Sequence, residues 1–291
     1  MNIANVIIWM RKQAYEDSTT KKVAKILRHL QRNCNTADPE EVKLYVSKKT
    51  CSNGRKENLI EAYAIYLKSM GFEWEDQPFY QRYDKKRRAP KQELLDFMIN
   101  HFRLELAFKL SMMKDLGTRP IELTWLKRQD IDLTTGLVSI TGAKHTVGRD
   151  GKLRPKTLEL LRIYLAKKNL GANARLFNLT SDSFSNDYRH SRNRLATDYN
   201  MPELKQVQLY DFRRYKGSRE YHLTGKLLVV KEILGHKDTR STERYITLFD
   251  ERNITWIPIV CTTDEEIRKA IEEDAVFVCQ ADGKTYFKKP A

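Results

Sequence analysis

The stretch ILGHKDTRSTERYI, residues 233–246, places Gly235 and His236 at the end of an apolar run, with Tyr245 nine residues beyond the histidine. Two arginines lie upstream in distinctive surroundings, Arg119 in LGTRPIEL and Arg213 in YDFRRYKGS. Alone, each says little: a single arginine is usually a surface residue, and a single tyrosine in a helical run is usually core. Together and in this order they point to attack on a phosphodiester by a tyrosine hydroxyl. Cleaving that ester gathers negative charge around phosphorus, and a guanidinium meets it with a planar, permanently charged fork. The departing 5′-oxygen needs a proton donor. A phenol suits the nucleophile's part because the phosphotyrosyl ester keeps the bond energy for rejoining.

Composition agrees with a polyanionic substrate. The chain has 291 residues, enough for two domains of ordinary size, and its 41% hydrophobic content is enough to build cores. A net charge of +15 favours nucleic acid as the partner. Cys34, Cys51, Cys261 and Cys279 are scattered without a CxxC pair, so reduced thiols are expected rather than zinc ligation or disulfide staples. His29, His101, His190 and His222 lack ligand spacing, and neither a metal nor a cofactor is expected. The start, MNIANVIIWMRKQ, lacks the layout of a signal peptide, and no stretch approaches the roughly 20 apolar residues of a membrane helix. A cytoplasmic protein without a membrane partner is the expectation.

Periodicity divides the chain. Residues 1–83 read as short helices with apolar residues at helical spacing, among them Val23, Ile26, Leu27 and Leu30. Asp38-Pro39-Glu40-Glu41 is a helix start, and Gly71 stops a long helix opening near Asn53. Residues 84–92, DKKRRAPKQ, are charged and carry a proline, which marks a basic linker. A helix from Glu93 to Leu110 and another after Pro120 follow. Leu137–Thr141 and Lys152–Pro155 read as strands around a turn rich in Gly148, Asp150 and Gly151. Helices return over 157–170, 183–199 and from Leu209. Beyond Tyr245, Thr263-Asp-Glu-Glu266 is a capping box, and Ala281-Asp-Gly-Lys284 is the turn of a hairpin.

These motifs resemble the tyrosine recombinases, the class of phage integrases and Xer proteins. The resemblance rests on Gly117-Thr-Arg119-Pro-Ile-Glu122-Leu123, on Arg213, on Leu234-Gly235-His236 lying 23 residues after Arg213, and on Tyr245. It is strong over residues 90–250, whereas residues 1–83 match the family's core-binding domain only in size and helical character. It implies a mainly α fold with a small β-sheet, and two domains closing on double-stranded DNA as a clamp. The division is a core-binding domain over 1–83, a linker over 84–92, a catalytic domain over 93–250 and a helix-hairpin tail over 251–291.

The resemblance also implies roles. Tyr245 is the nucleophile, Arg119 and Arg213 hold the phosphate, and His236 donates a hydrogen bond to it. The family's hairpin lysine is matched by Lys144, with Lys152 the alternative because the turn is long. The sequence departs at one position: Tyr210 stands where the family has histidine, and with an ordinary pKa near 10 it is a poorer base at neutral pH. The partners implied are duplex DNA and three further protomers in a DNA-bound tetramer. A relaxing enzyme of the type IB topoisomerase kind and a catalytically impaired DNA-binding accessory protein are the alternatives. Tyr188, Arg189, His190, Arg192 and Arg194 form a basic stretch that would suit a major groove, or a solvated helix face.

Overall fold

Helix-start chemistry accounts for most of the first elements. The computed structural model describes residues 1–83, 87–143, 146–243, 256–273 and 275–290, and divides into two compact units, residues 1–85 and 86–291. In the first unit α1 (Ile3–Lys12) is capped by the Asn2 side chain, which accepts from the amides of Ala4 and Asn5. Helix α2 (Asp17–Asn33) follows. Asp38 accepts from the Glu40 amide to open α3 (Pro39–Lys48), and Ser52 accepts from the Arg55 amide to open α4 (Asn53–Ser69). Their apolar stripes meet in a core containing Met10, Leu27, Leu30, Val42, Val46, Leu59, Ile60 and Tyr63. The one polar tip in that group, the Tyr63 hydroxyl, donates to the Thr36 carbonyl at 3.1 Å.

In the second unit the expected helix over 93–110 is two helices, α5 (Gln92–His101) and α6 (Leu104–Leu116). Phe102 and Arg103 are extended, with ψ of 156° and 147°. The break sends the Phe102 ring against Tyr188 and the Arg103 guanidinium to Asp187 at 2.6 Å. Helix α6 is buried at every position from Leu106 to Leu116. It packs against α5, α8 (Pro155–Lys168) and α10 (Asp211–Thr224). Around it lie α7 (Pro120–Trp125), α9 (Ser181–Asp198), α11 (Leu227–Leu234) and the single turn α12 (Arg240–Glu243).

The hairpin differs from the sequence expectation in register. Strand β1 (Leu137–Ile140) pairs with β2 (Arg149–Lys152), Leu137 facing Lys152 and Ile140 facing Arg149. Asp150 and Gly151, expected in the turn, lie in the strand. Asp150 accepts from the Ser139 hydroxyl across the ladder at 2.7 Å. Gly151 is needed because a Cβ there would come 2.8 Å from the Leu116 side chain. The second strand stops before Pro155, which opens α8 at a position where its missing N–H costs nothing.

The tail holds a strand that the sequence reading missed. Strand β3 (Trp256–Cys261), α13 (Asp264–Glu272), β4 (Val276–Ala281) and β5 (Lys284–Pro290) form an antiparallel sheet in the order β3-β5-β4. Asp282 and Gly283 both have positive φ, as the expected two-residue turn requires. The small tail core is Cys261, Ala270 and Phe287, and Val276, Phe277 and Val278 along β4 are exposed.

Gly117 ends α6 at φ +62°, and a Cβ there would meet Leu234 at 3.0 Å and Lys216 at 3.1 Å. Gly117→Ala should therefore lose about 1–2 kcal/mol of stability, from left-handed backbone strain and crowding. An unchanged urea midpoint would contradict this.

Candidate active site

Glu122 organises the site. It is the third residue of α7, where its Oε2 reaches back to the Arg119 amide at 2.9 Å, the backward half of a capping box. The same oxygen accepts from Arg149 Nη2 at 2.9 Å and lies 3.7 Å from Arg213 Nη1. Oε1 accepts from Arg119 Nη1 at 2.8 Å, the Thr146 hydroxyl at 3.3 Å and the Ala143 amide at 3.4 Å. Burial of this side chain would raise its pKa. Arg149, the Arg119 amide and Arg213 outweigh that and hold the carboxyl below its usual range. Three guanidiniums thus surround one carboxylate, leaving local positive charge in excess.

Arg213 is fully buried, and its two terminal nitrogens donate to main-chain carbonyls, Nη1 to Gly117 and Nη2 to Leu234, each at 2.6 Å. Those carbonyls stand at the C-terminal ends of α6 and α11, where helix dipoles favour a cation. Nη2 also lies 3.0 Å from His236 Nε2. A guanidinium only donates, so Nε2 is the acceptor there, and Nδ1–H donates to the Thr242 hydroxyl at 2.9 Å. Burial and the charges of Arg213, Arg119 and Arg149 push the His236 pKa down to about 4.

Gly235 makes this geometry possible. It ends α11 at φ +65°, and a Cβ there would lie 2.7 Å from the Val147 carbonyl and 3.1 Å from Arg149 Nη1. Its own carbonyl accepts from the Val147 amide at 3.1 Å, so the hairpin loop is seated on the turn before His236. A cavity of about 580 Å³ opens beside it, lined in part by Arg149, Lys231, His236 and Lys237.

Arg119, Arg213 and His236, far apart in sequence, are therefore brought together. Lys144 and Tyr245 lie outside the described residues. Of the loop around Lys144, Ala143 and Thr146 touch Glu122, whereas Lys152 is exposed at the other end of β2, opposite Leu137. Tyr210 precedes α10 as its N-cap and is 36% exposed. Arg149 was missed by sequence reading. Its signal lies in strand alternation, for it faces the buried Ile140, but only once the register is known. The basic stretch on α9 is corrected in part. Tyr188 and Arg192 are buried, both bonded to the Val207 carbonyl, and so belong to the packing, while Arg189, His190 and Arg194 are exposed.

Among the described residues no three His, Cys, Asp or Glu side chains gather as metal ligands, and no helix is long and apolar enough to cross a membrane. Residues 89–252, more than half of the chain, match the model of the phage integrase family. A probable integrase/recombinase protein of Methanocaldococcus jannaschii is 27% identical over 150 residues, which cover 49% of this chain and 46% of that protein; the chain thus spans about half of its relative's length. Among solved structures, the Tn1549 transposon integrase in complex with transposon right end DNA matches with a TM-score of 0.64 at 12% identity, over 94% of this chain and 99% of that one. The XerH site-specific recombinase bound to difH substrate, in a pre-cleavage complex, matches at 0.53 with 20% identity, over 73% of this chain and 67% of that one. At these identities the likeness is one of fold.

The low His236 pKa has a measurable consequence. An unfolded chain takes up this proton near pH 6.5, the folded one only near 4. Between those values the unfolded state binds more protons, so the His236 contribution to stability is complete above 6.5 and is lost progressively as pH falls towards 4. NMR titration should find the ring neutral at pH 6, and His236→Gln should flatten the fall in melting temperature across that window. A ring titrating near 6.5 would refute the burial argument.

Proposed function

Because the chain belongs to the phage integrase family, we propose that it is a site-specific DNA recombinase that cuts and rejoins duplex DNA through a 3′-phosphotyrosyl bond to Tyr245. The observation that carries this reading is the convergence of Arg119 and Arg213 on Glu122, with His236 held against Arg213. A surplus of guanidinium charge at a partly enclosed site suits an anion such as the phosphodiester of DNA.

In this reading the Tyr245 hydroxyl gives up its proton to water as its oxygen bonds to phosphorus, and the bond to the 5′-oxygen breaks, with Lys144 giving that oxygen its proton. Arg119, the most exposed of the three guanidiniums with a side chain 16% open, meets a non-bridging oxygen directly. Arg213 is held by two helix ends, so its charge is fixed in place; direct contact with phosphate requires its cover to move. His236 keeps its lone pair towards Arg213, and donation to phosphate requires a proton on Nε2, which the incoming anion favours. Tyr210 stands one helical turn before Arg213 and borders the same phosphate. The 5′-hydroxyl of a partner strand then reverses the chemistry, exchanging strands through a Holliday junction without a metal or cofactor.

The partners proposed are duplex DNA and three further protomers. Residues 1–83 would grip phosphates as one half of a clamp, 84–92 would link, 93–250 would catalyse, and 251–291 would reach a neighbour. The cytoplasm, where such DNA is available, is the proposed location. Lys144 is preferred to Lys152 because Ala143 and Thr146 meet Glu122, while Lys152 stands at the opposite end of the strand.

Tyr245→Phe should abolish covalent adducts on a nicked suicide substrate while leaving DNA binding nearly intact, since one oxygen is removed. Adducts at wild-type yield would move the nucleophile elsewhere. For the tail, the exposed Val276, Phe277 and Val278 favour docking on a neighbour. Removing residues 251–291 should leave single-site binding and lose four-protomer synaptic complexes. Synapsis with wild-type stoichiometry would make the tail a cover for its own unit.

A further inference from the structure

Arg149 differs from the other buried arginines in what its donors do. Its side chain is 6% exposed, and Nη2 is bonded to Glu122 and reaches the Gly117 carbonyl at 3.4 Å. Nε and Nη1, however, are buried and have no hydrogen-bond partner among the described residues. Orphaned donors on a buried cation are costly, roughly 1–3 kcal/mol or more for each group. The same chain contains a counterexample. Arg192, 8% exposed, engages Nη1 with the Val207 carbonyl and Nε and Nη2 with Asn193 Oδ1. An arginine kept for packing alone is satisfied in that way. Arg219 leaves one atom, Nε, unpaired, but it does not line the cavity beside His236.

The position of Arg149 shows where a partner would come from. It lines the cavity with His236 and Lys231, and its Nη1 rests on Gly235. Among the described residues Glu122 is the only carboxylate bonded to it, and that carboxylate already serves Arg119 and lies near Arg213. Resting on the proposed cleavage of a phosphodiester, we propose that Arg149 is a third arginine of the reaction, one that meets a non-bridging oxygen of the scissile phosphate with Nε and Nη1. Nη2 stays on Glu122 as the pivot, and the guanidinium lifts from Gly235 towards the cavity as the phosphate enters. Two of its five donors thus exchange an unsatisfied state for charge-assisted bonds, which form as negative charge grows on phosphorus.

The test separates charge on the phosphate from everything else. A suicide duplex with a methylphosphonate at the scissile position has lost that negative charge, so a missing cation matters less. On ordinary DNA, Arg149→Gln should slow single-turnover cleavage by roughly 100-fold, the usual scale for one lost transition-state donor, with DNA affinity little changed. On the methylphosphonate duplex the same variant should cleave within about 10-fold of the unsubstituted enzyme, by the same reasoning. A defect of equal size on both duplexes overturns the proposal and leaves Arg149 as a packing residue. Arg119→Ala is the control: if it too gains nothing from the methylphosphonate, the phosphodiester reading itself fails. Should Arg149→Gln not fold, Arg149→Lys keeps the charge. It should cleave ordinary DNA faster than Arg119→Ala does, and a larger loss that is indifferent to the methylphosphonate overturns the proposal.

Discussion

One carboxylate, Glu122, holds the candidate active site in place. It is buried completely, an expensive position for a charge unless it is paired and hydrogen-bonded. Here it is paired with Arg119 and Arg149, is near Arg213, and accepts from Thr146 and Ala143. Each partner comes from a different part of the chain: the start of α7, strand β2, helix α10 and the hairpin loop. Removing the carboxylate would leave buried cations with mutual repulsion and no counter-charge, a far larger effect than the loss of one ion pair.

Glycine geometry completes what the carboxylate begins. Gly117 and Gly235 each end a helix with positive φ, and each lies where a methyl group would strike a neighbour. Their turns bring the carbonyls of Gly117 and Leu234 to Arg213. Motif and mechanism meet at this point. The glycine of Leu234-Gly235-His236 lets the hairpin sit on the turn, and the histidine beside it is buried against Arg213 and Thr242.

Much of this was legible in the sequence, and the failures have physical causes. Helix caps such as Asp38-Pro39 and Thr263 act locally, so residues a few positions apart reveal them. Arg119, Arg213 and His236 were legible because their motifs fix both identity and interval. Arg149 was not, because its inward orientation depends on strand pairing. Glycines and an aspartate beside it suggested a turn where the ladder continues. The break between α5 and α6 depends on where Phe102 and Arg103 find partners, Tyr188 and Asp187, more than 80 residues away. Strand β3 was hidden by Pro258, which an edge strand tolerates where a central one would not.

The two carbonyls that grip Arg213 belong to residues 96 and 21 positions away from it in the chain. Neither short segment can build the grip alone. A chain still emerging during synthesis, with residues up to Arg213 available but Leu234 and His236 not yet joined, has an arginine lacking one of its two carbonyl partners and the histidine beside it. Assembly of the candidate site thus waits on the segment that carries Leu234 and His236. For a molecule whose proposed act is to cut duplex DNA, that ordering means that a copy stopping before Leu234 lacks the complete seat of Arg213.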